Sequence, residues 1–391
     1  MGSSDISRKW GGLLFLVAMF SLFFPSSIDG TIISYLSSVA ILFSVLILFL
    51  YSSKNSFLFS SLVLMVLFLC LLLLFTIFSP LNDFTPGAFL PYLGMAAVLS
   101  LRVPDMASNL SIRLFHFCSF VLIALGFGVI YEVSFVRELL HNYYQAYYEE
   151  LYANMIIYHK KPVGPFSTHS VAAFAYFLFA VLYFSLYRAL SAGKLWYLLF
   201  SCAFVFLLFN LRSFSSLVLI VLLVTLFLYL ELRDGRWQAV VVFFLGVISI
   251  LMLVDVAPMI EAIANVLSSE GNGLRGRYSE NTRLSGTYEY VSTNFISAVG
   301  LTSSPDIAFG DNFIADYVLR ASAFGYLIVL VSSFLFLSAS INGLGACFFA
   351  FFLLLLSDLG FPALTNYRIL FLLPAFICVW NHSVTMRRRN N

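Results

Sequence analysis

The chain has 391 residues, of which 61% are apolar and only 10% are Asp, Glu, Lys or Arg, against about 45–50% and about 25% in an ordinary globular protein. Its formal net charge is only +2 at pH 7. So few charges cannot cover a soluble fold of this length, which excludes nucleic-acid binding, a soluble dinucleotide-binding enzyme and a disordered scaffold, and predicts a polytopic membrane protein.

A spanning helix takes about 20 residues. Twelve apolar runs stand at Trp10–Phe24, Ile32–Tyr51, Phe57–Phe78, Phe84–Leu101, Ile112–Tyr131, Thr168–Arg188, Leu195–Leu211, Ser213–Leu230, Trp237–Val254, Phe313–Leu337, Ser340–Leu356 and Tyr367–Trp380. Interrupted runs of this length suit an all-α bundle, because a barrel needs alternating ten-residue strands. The expectation is a single integral membrane domain over residues 1–391 with about 12 transmembrane helices. Two long polar segments, 132–167 and 255–312, form its large loops.

The first run follows Arg8 and Lys9 without a small-x-small cleavage site, which predicts an uncleaved first helix. With the N-terminus inside, the inner segments hold Arg8, Lys9, Lys54, Arg102, Arg113, Arg188, Lys194, Arg233, Arg236 and Arg387 to Arg389, while the short outer loops hold only Arg212 and Arg368. That bias places both termini in the cytoplasm and both long loops outside. All five cysteines fall within the runs, so neither a disulfide framework nor metal-ligand spacing is present.

In the first long loop, Leu140, Tyr144, Tyr147, Leu151 and Met155 recur at helical steps, predicting an amphipathic helix with a Tyr-rich interfacial face and a polar face carrying His141, Gln145, Glu149 and Glu150. It reads either as an interfacial anchor or as a lid with a sugar-binding face. Next comes GPFSTHSVAAFAYF, a turn, a Ser/Thr cap and a helix opening on His169; that histidine is either a cap-region residue or catalytic. Arg212 stands at the start of the following element, NLRSFSSLVLIVLL. In the second long loop Arg275, Arg277 and Arg283 fall within nine residues. Such a cluster suits bidentate phosphate recognition and equally the gripping of anionic lipid headgroups. Arg320 lies inside an apolar run, where a charge is a functional candidate, although Asp316 one turn earlier offers it an ion-pair partner. Motifs of metal-dependent sugar transfer, zinc hydrolysis, serine hydrolysis and phosphate-binding Gly-rich loops are all missing from the sequence.

Three of these segments together resemble the bacterial O-antigen and capsule polymerase (Wzy) family, which is related to the O-antigen ligases: the His169 turn and helix, the LRSFSSLVLIVLL element with Arg212, and the stretch from Arg283 through Gly300, Asp311 and Asn312 to Gly325. The ligases carry His-Asn where this chain has Asp311-Asn312, which leans toward polymerase. The resemblance implies a metal-independent membrane glycosyltransferase of the bacterial inner membrane, without a cofactor. Its donor and acceptor are undecaprenyl-diphosphate-linked oligosaccharides, with membrane lipids and a chain-length regulator protein as further partners. It also implies Asp311 as the base with His169 and Glu150 in reserve, Arg212 and Arg283 on the diphosphate with Arg275, Arg277 and Arg320 in support, and Asn312 and Tyr317 on the glycan. Two alternatives stay open: a ligase acting on lipid A-core, and a flippase of the same lipid-linked glycan. A flippase is expected to show an internal repeat and midplane charges, and neither is visible in the sequence.

Overall fold

The computed structural model describes residues 3–23, 41–47, 58–81, 83–104, 107–144, 153–166, 168–189, 195–235, 283–294, 298–304 and 312–390, with a few isolated positions between them. Its helices are α1 (Ser3–Phe23), α2 (Phe59–Ile77), α3 (Phe89–Leu99), α4 (Asn109–Ile130), α5 (Ser134–Tyr144), α6 (His169–Ala189), α7 (Leu195–Asn210), α8 (Phe214–Arg233), α9 (Arg283–Thr293), α10 (Leu319–Ser340), α11 (Leu344–Asp358) and α12 (Tyr367–Asn390). The molecule is a bundle of apolar helices. Among the described residues, six units are long and apolar enough to cross a membrane: α2, α4, α6, α8, Ile314–Ser340 and Tyr367–Arg388. Four shorter apolar helices, Gly12–Phe23, Pro86–Leu99, α7 and α11, accompany them. These ten coincide with ten of the apolar runs. Of the other two, Ile32–Tyr51 is described only over its helical residues 41–47, and Trp237–Val254 lies outside the described residues save two positions.

Burial explains the arrangement. Helix α2 is apolar all round but buries only Ser61, Met65, Phe68 and Leu72, a single stripe at helical spacing. The rest of its surface suits a lipid environment. Helix α6 is the opposite case: nearly every side chain from Val171 to Ala189 is buried, and Ala172, Ala173, Ala175 and Ala180 keep its neighbours close. Small residues do this work in membrane bundles, where lipid removes most of the hydrophobic drive between helices. Larger rings fill the remaining gaps, with Phe179 stacked on Phe204 at 4.9 Å and Tyr183 on Phe115 at 5.0 Å.

Hydrogen bonds sort the connections into two ends. At one end the Ser100 carbonyl accepts from Leu58 N–H at 2.9 Å, and Asn381 bonds Ser340 and Asn342. The same end carries a charge network in which Arg188 pairs with Glu231 at 3.2 Å and with Asp234, and Asp234 also receives Arg387 at 2.9 Å. At the other end the described parts of both long loops meet the starts of α10 and α12. There a two-residue antiparallel ladder joins Asp83–Phe84 to Thr302–Ser303.

The amphipathic stretch is described in two parts. Helix α5 is described to Tyr144, residues 145–152 lie outside the described set, and Met155 belongs to a π-helical turn, Ala153–Tyr158. Glu132 joins the two limbs of this loop by pairing with Lys160 and with Arg137 at 3.4 Å. Its hydrogen bond from Lys160 holds the carboxyl below the usual carboxylate range.

Candidate functional site

The loop end is where polar and cationic groups collect, and its organising feature is a break in a helix. Residues Ile314–Val318 form a π-helical turn leading into α10, and the helix is interrupted at Ala321 and Ser322, the latter at φ 68°. A break inside an apolar helix frees carbonyls that must find donors. They find them in the incoming loop: Val299 N–H donates to the Leu319 carbonyl at 2.9 Å and Gly300 N–H to the Arg320 carbonyl at 3.1 Å. Gly300 itself has φ +61°, and a Cβ there would lie 2.2 Å from the Thr76 backbone nitrogen. Only glycine fits this turn. Thr76 Oγ1 then accepts from Leu301 N–H at 2.8 Å, and Thr85 Oγ1 donates to the Leu301 carbonyl at 2.6 Å.

Arg320 completes this joint from within the bundle. It is 5% exposed, and its Nη1 donates to the carbonyls of Gly300 at 2.9 Å and Thr302 at 2.8 Å. Asp316, the expected ion-pair partner, accepts from the Tyr92 hydroxyl and from Thr365 Oγ1 at 2.7 Å, and the Arg320 charge acts on it as well. Arg320 positions the loop, and Asp316 ties α3 and the start of α12 to the π-turn.

Asn312 opens that turn. Its Oδ1 accepts from the Ile314 and Ala315 N–H groups at 3.0 Å each, and its Nδ2 donates to the Tyr288 hydroxyl at 2.6 Å. Tyr288 belongs to α9, so the helix that begins at Arg283 docks on Asn312. The side chain of Arg283 lies outside the described residues, as do Asp311, Arg275, Arg277 and Glu150. Tyr317 is fully buried and stacks on Tyr326 at 5.6 Å.

A second group stands where α6 and α8 begin. Thr168 Oγ1 caps α6 by accepting from Val171 N–H at 3.4 Å, and Ser213 forms a reciprocal capping box with Ser216 on α8. The two helix starts touch through Ser170 and Ser215, whose hydroxyls are 3.4 Å apart. Half-buried His169 is the first residue of α6. Arg212, at φ 48°, immediately precedes the Ser213 cap. Lys161 joins from the loop, which Tyr176 pins by donating to the Pro162 carbonyl at 2.6 Å. Burial, and then the neighbouring positive charge of Arg212, push the Lys161 ammonium below its ordinary pKa. Two cations and two helix N-termini thus face one region, an arrangement that favours an anion.

Sequence reasoning underrated three groups here. Arg368 is only 2% exposed, donates to the hydroxyls of Tyr143 at 2.9 Å and Tyr367 at 3.1 Å, and lies over both rings, tying α5 to α12. Its isolation in a short loop of a basic-poor face was the available signal. Lys161 stood in plain view in the Lys160-Lys161-Pro162 run. Asp358, 3% exposed at the end of α11, left no sequence signal beyond a lone acid closing an apolar run.

No family model, no curated protein and no solved structure matches this chain.

Proposed function

We propose that this protein is a polysaccharide polymerase of the O-antigen and capsule type, acting at the outer face of the bacterial inner membrane. In this reading twelve helices span the membrane, both termini are cytoplasmic and the loop end is external. The observation that carries the reading is the meeting of Lys161 and Arg212 at the paired starts of α6 and α8, within an otherwise apolar bundle. A cationic notch at the membrane surface suits a lipid-linked diphosphate, and the docking of the Arg283 helix on Asn312 supports a glycan site beside it.

The chemistry needs little more. A hydroxyl of the acceptor repeat attacks the anomeric carbon of the growing glycan, forming the new glycosidic bond. The bond from that carbon to undecaprenyl diphosphate breaks, and the diphosphate leaves with the electron pair. Arginines and Lys161 stabilise its developing charge. Asp311 takes the hydroxyl proton, with His169 and Glu150 as its reserves. Arg212 and Arg283 hold the diphosphate, Arg275 and Arg277 assist, Arg320 supports from its place under the loop, and Asn312 and Tyr317 face the glycan. A ligase acting on lipid A-core is the second reading, because it shares the donor and the leaving group; a flippase is the third.

The surface glycan of a deletion strain tests the three. A single repeat on lipid A-core identifies a polymerase, unsubstituted core with polymer on its carrier identifies a ligase, and loss of all outer-face glycan identifies a flippase. Within the polymerase reading, Arg283→Ala should lower turnover about 10- to 200-fold, the equivalent of one charge-assisted contact. Arg283→Lys should recover only part of that loss. Asp311→Asn should lower turnover by about 10²–10⁴ while sparing donor binding. Normal polymer from Asp311→Asn at normal protein levels moves the base to His169 or Glu150.

A further inference from the structure

Beneath the Asp316 cluster lie two buried polar atoms without hydrogen-bond partners among the described residues. One is the Tyr317 hydroxyl, on a side chain that is 0% exposed; the other is Oδ1 of Asp358, on a residue 3% exposed whose carboxyl is otherwise engaged by the Ala363 backbone and the Tyr326 hydroxyl. Orphaned polar atoms in such a setting are rare, because each forfeits its solvation without replacement. They are neighbours in effect. The Tyr317 ring lies nearly parallel to Tyr326, with 13° between the planes, and the Tyr326 hydroxyl donates to Asp358 Oδ2 at 3.5 Å.

The surroundings are those of a working site. Tyr317 sits on the π-turn, which Asn312 caps and the break at Ala321–Ser322 follows. π-Turns and left-handed non-glycine residues concentrate where backbone is held for function. Asp358 ends α11, and the next residues, Leu359 and Gly360, are exposed at the loop end.

The unmet needs are complementary. A phenol hydroxyl without a partner is a donor, and a carboxylate oxygen is an acceptor. A group that accepts from one and donates to the other satisfies both, and an alcohol does so with a single atom. We propose that Tyr317, Tyr326 and Asp358 form a hydroxyl-binding subsite for a carbohydrate at the loop end of the bundle. The choice of a sugar over other alcohols rests on the polymerase reading above. Asp358 accepts a hydrogen bond from a sugar hydroxyl, Tyr317 donates one to the same oxygen, and Tyr326 orients the carboxyl through Oδ2. The subsite recognises glycan and moves no proton to or from the reacting atoms, so Asp311 keeps its role.

Tyr317→Phe is the decisive variant. It removes only the unpartnered oxygen, so the fold should be unharmed or slightly more stable, while a subsite would lose its donor. Asp358→Asn is the companion, and Ser332→Ala the control, since Ser332 Oγ is also buried without a partner but lies farther along α10. The full-length protein, purified in detergent, is titrated with the repeat-unit oligosaccharide freed from its carrier by mild acid. Binding should weaken roughly 10- to 100-fold in Tyr317→Phe and Asp358→Asn, as for loss of one or two hydrogen bonds with a charged partner, and stay unchanged in Ser332→Ala. The melting temperature of Tyr317→Phe should match or exceed that of the parent. Equal binding by parent and Tyr317→Phe, or none by the parent, overturns the subsite. Polymerisation of the lipid-linked repeat is assayed in parallel. Oligosaccharide binding that Tyr317→Phe loses, with no chain growth by the parent, sinks the polymerase reading and leaves the subsite standing. Chain growth at the parent's rate by both variants sinks the subsite and leaves the polymerase.

Discussion

At the scale of single residues, the proposed reading divides the cations of the loop end between holding structure and binding an anion. Arg320 belongs to the first kind. Arg320→Ala leaves the buried Gly300 and Thr302 carbonyls without their charged donor, and the protein should lose about 2–4 kcal/mol, read as a lower melting temperature in detergent. A loss below about 0.5 kcal/mol would show that the loop stands without it. Lys161 belongs to the second kind. Its pKa is lowered in the folded state, so the unfolded chain binds more protons between that value and the ordinary lysine range near 10.4, and stability should rise with pH across that window. An anion seated between Lys161 and Arg212 restores the ammonium and takes up a proton. Affinity for inorganic pyrophosphate should therefore increase as pH falls through the same window, by up to about tenfold per pH unit, and Lys161→Met should flatten the dependence. A parent protein whose affinity does not change between about pH 8 and the lysine range would remove Lys161 from the anion site. Gly300 and Asn312 stood out in the sequence only as positions of the family resemblance, which implied neither the loop joint at Gly300 nor the turn cap at Asn312. The partners of Arg320 were not legible either: a residue one turn away is visible in a string of letters, whereas a carbonyl twenty residues upstream is not.

At the scale of elements, hydropathy located the apolar helices because each is dictated by its own composition. The break in α10 escaped it. No proline or glycine stands at Ala321 or Ser322, and the interruption goes with tertiary bonds from Val299 and Gly300 to the freed carbonyls. The amphipathic stretch is helical over its described residues to Tyr144, and Arg368 of α12 holds it at Tyr143. At the opposite end, Arg188 of α6 connects α8 and α12 through Glu231, Asp234 and Arg387. Glu231 is fully buried, so Arg188→Ala should cost about 3–5 kcal/mol, and the double change Arg188→Met with Glu231→Gln should recover most of it, because the uncompensated charge is gone. Arg387→Ala, at a half-exposed position, should cost under about 1 kcal/mol. Burial alone would raise the Asp234 carboxyl, but Arg188, Arg387 and Arg233 together hold it below the usual range. Its folded pKa is depressed, so its contribution is present above about pH 4 and fades as pH falls through the lowered value. Chemical denaturation of the parent and the three variants at neutral and acid pH checks both claims; a double variant as weak as Arg188→Ala would refute the buried-charge account.

At the scale of the whole molecule, structure and charge answer different halves of one question. Hydrogen bonds decide which residues share an end: Arg188, Asp234 and Arg387 stand at one, and Tyr143, Arg212, Gly300 and Arg368 gather at the other. In the proposed reading, the basic residues of the short connections assign the end that faces the cytoplasm. Of the described ones, Arg102, Arg113, Arg188, Arg233 and Arg387 fall on the first end, while Lys54, Lys194 and Arg236 belong to the same inner set by sequence alone, and Lys and Arg in short loops are retained inside. Several cations of the other end are already engaged. Lys160 and Arg137 pair with Glu132, while Arg320 and Arg368 are buried within the protein. The prediction is therefore that reporter fusions at Lys54, Arg188, Arg233 and the C-terminus read cytoplasmic, and that a fusion at Asn272 reads external. Substituting neutral residues for Arg387 to Arg389 should leave this orientation intact, because the other inner connections still carry their charge. A cytoplasmic signal at Asn272 would place Lys161, Arg212 and Tyr317 on the wrong side of the membrane for an external glycan, and would end the polymerase reading at once.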